Sequence, residues 1–119
     1  MTINELYKKV ATGPTMLTAE AMIALLLEIE SININELKSK KTIFYETLDL
    51  LIASHADTTY FAVTEENKYY FIDFSNWLKK ISHEFISVDD RNNLHAISEV
   101  FLMFPWEIYS SSSISSNAP

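Results

Sequence analysis

The sequence predicts an all-α protein, a compact bundle of about five helices followed by a serine-rich C-terminal tail. Three observations carry that expectation. Tight turns lean on glycine, asparagine and proline, and one glycine and three prolines in 119 residues leave little material for a sheet. Ile34, Leu37, Lys41, Phe44, Leu48, Leu51 and His55 recur at spacings of three and four residues, which sets them on one stripe of a helix. Local start signals precede several apolar runs, Thr2-Ile3-Asn4-Glu5 and Asn33-Ile34-Asn35-Glu36 among them. Residues 1–109 read as a single helical domain and 110–119 as a flexible tail.

Thr2 and Glu5 have the spacing of a capping box. Ile3, Leu6, Tyr7 and Val10 form a short stripe, Lys8 and Lys9 suit the negative end of the helix dipole, and Gly13-Pro14 stops the helix. Thr18 caps a second helix from about Ala19 to Ile29, apolar on nearly every side and therefore buried. The third is the Ile34–His55 stripe. Its basic run, Lys38 to Lys41, reads as a kink, an exposed surface or a break near Thr42.

Residues 57–74 admit two readings. Tyr60–Val63 and Tyr69–Ile72 have strand composition around Glu65-Glu66-Asn67, as in a hairpin. Tyr70, Phe74, Trp77, Leu78, Ile81 and Phe85 instead recur at helical spacing, with Thr64 as cap, and the helix is preferred. A last helix is expected after Ser87, with Leu94, Ile97, Phe101 and Phe104 in phase and an end enforced by Pro105. Trp106, Ile108 and Tyr109 are expected to fold back on the bundle. Ser110 to Pro119, with six serines and no charge, gives little reason for order.

Hydrophobic residues make up 48% of the chain, enough for a core, and the formal charge is −7 with a pI near 4.8. A field of that sign repels phosphate backbones and attracts basic partners. No nucleic-acid binding is expected. The absence of cysteine excludes disulfides, thiolate metal sites and a cysteine nucleophile. The most apolar run, Ala21–Leu27, is too short to span a bilayer, and no signal-peptide pattern precedes it. A cytoplasmic protein without membrane association is expected.

No catalytic motif stands out. His55, His83 and His95 lack the three- or four-residue spacing that sets metal ligands on one helix face, so no metal, cofactor or enzymatic activity is expected. No Gly-x-Ser-x-Gly elbow exists, and the lone Gly13 cannot make a phosphate-cradling loop. Adjacent acids such as Asp89-Asp90 and Glu65-Glu66 suit helix N-termini better than acid/base catalysis.

The order of charges is more informative. Glu46, Asp49, Asp57, Glu65 and Glu66 fall between Thr42 and Asn67, a stretch without lysine or arginine, and Asp73 extends the series. Tyr45, Tyr60, Phe61, Tyr69 and Tyr70 are interleaved with them. Aromatic anchors ringed by acids suit a binder of a basic protein surface. The candidate partner-binding residues are accordingly Tyr45, Glu46, Asp49, Asp57, Tyr60, Glu65, Glu66, Tyr69 and Asp73. The competing expectation is a solvated helix face whose tyrosines pack in the core.

In length, acidity, cysteine-free helical composition and the acidic-aromatic region from Tyr45 to Asp73, the chain resembles the small acidic immunity proteins of contact-dependent inhibition and nuclease bacteriocin systems. The resemblance implies a cytoplasmic protein, a monomer or weak homodimer, that binds a cognate toxin domain and blocks it. Many such toxins are nucleases with basic clefts. The alternative is a helical adaptor or dimerisation module, with Phe101, Met103, Phe104, Trp106 and Ile108 as a dimer seam.

Overall fold

The computed structural model describes residues 1–55 and 64–117, with side chains described for 1–54 and 64–103. Among the described residues the chain forms six helices and no strand. They are α1 (Ile3–Thr12), α2 (Ala19–Glu30), α3 (Ile34–Ser39), α4 (Lys41–His55), α5 (Lys68–Ser82) and α6 (Val88–Asn117). The helical class is as expected. No helix among the described residues is long and apolar enough to cross a membrane.

Local chemistry starts the helices. Thr2 Oγ1 accepts from the Glu5 amide at 3.1 Å, Thr18 Oγ1 from the Ala21 amide at 3.1 Å, and Asn33 Oδ1 from the Asn35 amide at 2.8 Å. Each satisfies a donor that the helix itself leaves unpaired. Gly13 closes α1, where an added Cβ would stand 2.8 Å from the Lys9 carbonyl oxygen. Glu36, part of the Asn33-x-x-Glu start signal, reaches beyond its own helix. Its Oε2 accepts from the Ile3 amide at 2.6 Å, so a carboxylate of α3 sits on the positive end of α1.

The Ile34–His55 stripe is not one helix. Lys40 leaves helical geometry at φ −117°, ψ 42°. Its amide still donates to Glu36 O at 2.9 Å, and its carbonyl accepts from the Phe44 amide at 3.0 Å. The break therefore costs few backbone bonds. It frees Lys41 and Tyr45, on α4, to meet Asp90, at the start of α6: Lys41 Nζ lies 2.8 Å from Asp90 Oδ2, and the Tyr45 hydroxyl donates to Oδ1 at 3.0 Å.

The core runs through every helix. Ile3 and Leu6, Met22, Leu26 and Ile29, Leu37, Phe44, Leu48 and Leu51, Phe71, Phe74 and Leu78, Leu94 and Phe101 are buried together. Its centre is aromatic. Phe74 meets Phe101 edge-on at 4.9 Å and stacks on Trp77 at 5.4 Å, and Trp77 meets Phe44 edge-on at 6.5 Å. These rings join α4, α5 and α6. The buried hydroxyls of Thr47, Ser75, Ser82 and Ser98 each donate to a carbonyl, which removes the penalty of burying them.

Two further boundaries differ from expectation. α5 begins at Lys68 instead of just after Thr64, and it buries Phe71 while Tyr70 stays 43% exposed. Both residues fit a stripe through Phe74 and Leu78, so packing decides between them. α6 passes through Pro105 and continues to Asn117, so the serine-rich stretch expected as a tail has helical backbone over 110–117. Proline removes one backbone donor and crowds the preceding turn. Later bonds are untouched, and extending a helix costs less than starting one.

Candidate functional site

The turn before α5 and the first turns of that helix hold several of the expected partner-binding residues. Thr64 Oγ1 accepts from the Asn67 amide at 3.1 Å, which shapes the turn that feeds the helix. Asn67 Nδ2 donates to Glu20 Oε1 at 3.2 Å, tying the start of α5 to the start of α2. Tyr69, Tyr70 and Asp73 then share one face of α5 at three- and four-residue spacing, with Glu66 in the turn just before the helix. All four are exposed, Tyr69 by 60%. Neither Glu66 nor Asp73 has an ion-pair partner among the described residues.

The electrostatics of this face extend onto α2. Partial burial, with the Asp73 charge added, holds the Glu30 carboxyl above the usual carboxylate range. A like-charged pair between α2 and α5 is therefore left without a cation of its own. Glu65 differs, because it forms an ion pair with Lys68. The Lys68 ammonium lies 5.8 Å from the centre of the Tyr69 ring, within the range at which a cation feels an aromatic face.

The remaining expected residues lie elsewhere. Glu46 and Asp49 are exposed on α4, where with Tyr7 and Leu50 they border a shallow depression of about 250 Å³. They belong to the α1–α4 side, whereas Glu66, Tyr69 and Asp73 belong to the α2–α5 side. Tyr45 is half-buried and its hydroxyl is committed to Asp90. Burial and the neighbouring Asp90 charge push the Tyr45 phenol well up, while the Lys41 ammonium holds the Asp90 carboxyl below its usual range. Tyr45 is thus a tether between α4 and α6 more than an anchor for a partner. Asp57, Tyr60 and Phe61 lie outside the described residues.

Phe101, expected at a dimer seam in the alternative reading, is fully buried against Phe74. Met103 and Val100 are exposed on the same helix. An apolar groove of about 290 Å³ lies between α1 and α2, lined by Val10, Leu17, Ala21 and Leu25, with Lys9 paired to Glu28 at its rim.

No three His, Asp or Glu side chains gather into a metal cluster among the described residues. The fold does bring His83 and His95 together, with ring centres 6.4 Å apart. Their twelve-residue separation gave no single-helix spacing to notice. The signal lay in the short link between two helices, which sets neighbours antiparallel and brings distant positions into register. Comparison with protein-family models, curated proteins and solved structures found no match.

Proposed function

We propose that this chain is an immunity-type inhibitor, acting in the cytoplasm, that binds a cognate toxin with a basic nuclease domain through its acidic, aromatic-rich surface. The observation that carries the reading is the surface at the start of α5, where exposed Tyr69 and Tyr70 stand between Glu66, in the preceding turn, and Asp73, two carboxylates without an ion pair among the described residues. Large rings left in solvent are the residues that supply affinity at protein interfaces, and flanking charge speeds encounter. The crowding of Asp73 and Glu30 supports the same reading, because a partner's lysine or arginine placed between them relieves it. No chemical step is assigned to the chain; its action is to cover the toxin.

The test is binding kinetics against a toxin domain encoded beside this gene, with measurements across salt concentration. Asp73→Lys is expected to slow association roughly tenfold at low salt and to flatten its salt dependence. Tyr69→Ala is expected to weaken binding by tenfold or more through faster dissociation. An association rate indifferent to both salt and Asp73→Lys would refute the assignment. The second reading, a helical adaptor or dimerisation module, draws on exposed Val100 and Met103. A stable dimer in light scattering, lost on Met103→Glu, would favour it.

A further inference from the structure

α5 and α6 run antiparallel across the 83–87 link, and side chains meet along the seam in successive rungs. Phe74 faces Phe101, Ser75 Oγ donates to Ser98 O at 2.8 Å, and Lys79 Nζ lies 2.9 Å from Glu99 Oε1. At the next rung His83 faces His95, the rings 6.4 Å apart and inclined at 81°. Both histidines are exposed, and neither ring has a hydrogen-bond partner among the described residues. Their imidazole nitrogens are available.

We infer that His83 and His95 form a binding site for one late first-row divalent cation, Cu²⁺ in preference to Zn²⁺, held between α5 and α6. An imidazole nitrogen sits about 2.0–2.1 Å from such a metal, so two rings sharing one ion have centres roughly 4.5–6.5 Å apart, depending on the angle at the metal. The observed 6.4 Å lies at the wide end of that span. Small side-chain rotations bring the rings to narrower angles, and exposed side chains make them freely. The two ligands come from the C-cap position of α5 and from α6, and the packing of the two helices fixes the backbone beneath them.

The donor set selects the ion. Two neutral imidazoles with no thiolate suit copper, nickel and zinc, whereas calcium and magnesium demand oxygen cages. Among these, copper binds nitrogen donors most tightly. Water completes the coordination. Glu99 stands one turn beyond His95 on the same helix face, held by Lys79, and adds a negative neighbour that favours a cation. The site is independent of the proposed docking face, since His83 lies ten residues, or about 15 Å along the helix axis, beyond Asp73.

Calorimetric titration of the full chain with CuCl₂ and with ZnCl₂ at pH 7.5 tests the site, run beside His83→Ala, His95→Ala and His55→Ala. One Cu²⁺ per chain is expected, bound more tightly than Zn²⁺. Each of His83→Ala and His95→Ala is expected to weaken copper binding at least tenfold, with His55→Ala unchanged. Because only the folded chain presents both rings together, copper at about a hundred times its Kd is also expected to raise Tm by roughly 10 °C in the native chain, and by much less in either single variant. Circular dichroism establishes that the variants are folded, and His83→Gln and His95→Gln repeat the test with a conservative change. Absence of binding, equal affinity in all variants, loss on only one of the two substitutions, or dependence on His55 would each overturn the inference.

Discussion

Phe74→Ala tests the aromatic centre of the bundle most directly. Phe74 is fully buried, and its ring contacts Trp77 at 5.4 Å and Phe101 at 4.9 Å. Truncating a buried phenylalanine costs about 3–5 kcal/mol, with the larger values where neighbours cannot collapse into the space. Here the neighbours are rigid rings on α5 itself and on α6, so the expected loss is about 4 kcal/mol. Against a total stability of roughly 5–15 kcal/mol for a domain, that is a large share. With a urea slope of roughly 2 kcal/mol per molar, the midpoint falls by about 2 M. Phe74→Leu keeps most of the volume and loses the ring pairs, for about 1–3 kcal/mol. Urea unfolding followed by circular dichroism measures both. A loss below about 1 kcal/mol for Phe74→Ala would refute the claim that these rings hold α4, α5 and α6 together.

Two further outcomes follow from polar contacts. Glu36→Gln weakens the charge-assisted bond to the Ile3 amide and is expected to cost about 1–2 kcal/mol in urea unfolding; an unchanged midpoint would show the contact to be idle. Glu30 has a raised folded-state pKa, first through burial and then through Asp73. Its contribution to stability is therefore fully present below the ordinary value of 4.5 and lost as pH rises through the folded value. Glu30→Gln is expected to gain about 0.5 kcal/mol at pH 7, the size of a screened charge effect, and to lose that advantage below pH 4.5. A gain that persists in acid would point to packing, not charge.

What the sequence reveals divides along the reach of the interaction. The caps at Thr2, Thr18 and Ser87 are legible because a hydroxyl and an amide three residues away settle them. The buried stripes of α2 and α4 are legible because spacing alone sets a helix face. Tyr70 and Phe71 are not separable in that way: both continue the stripe, and it is Phe71 that joins the buried core. Glu36 carries the sign of a local cap yet spends its carboxylate on an amide 33 positions away. The candidate site shows the same division. The Tyr69–Asp73 face is one stretch of helix and could be read directly, whereas the commitment of Tyr45 to Asp90, 45 positions away, depends on folding geometry.

The ladder between α5 and α6 works like a cut key, because each step carries its own chemistry. Sliding one helix past the other by a turn would set Lys79 against His95 or Met103, and would leave Ser75 and the Phe101 ring without their counterparts. Every misalignment loses several unlike contacts at once, so intermediate alignments offer no resting place. Any rearrangement of this hairpin must therefore swing it as a single rod, and a partner gripping one end of α5 would tug the far end along with it.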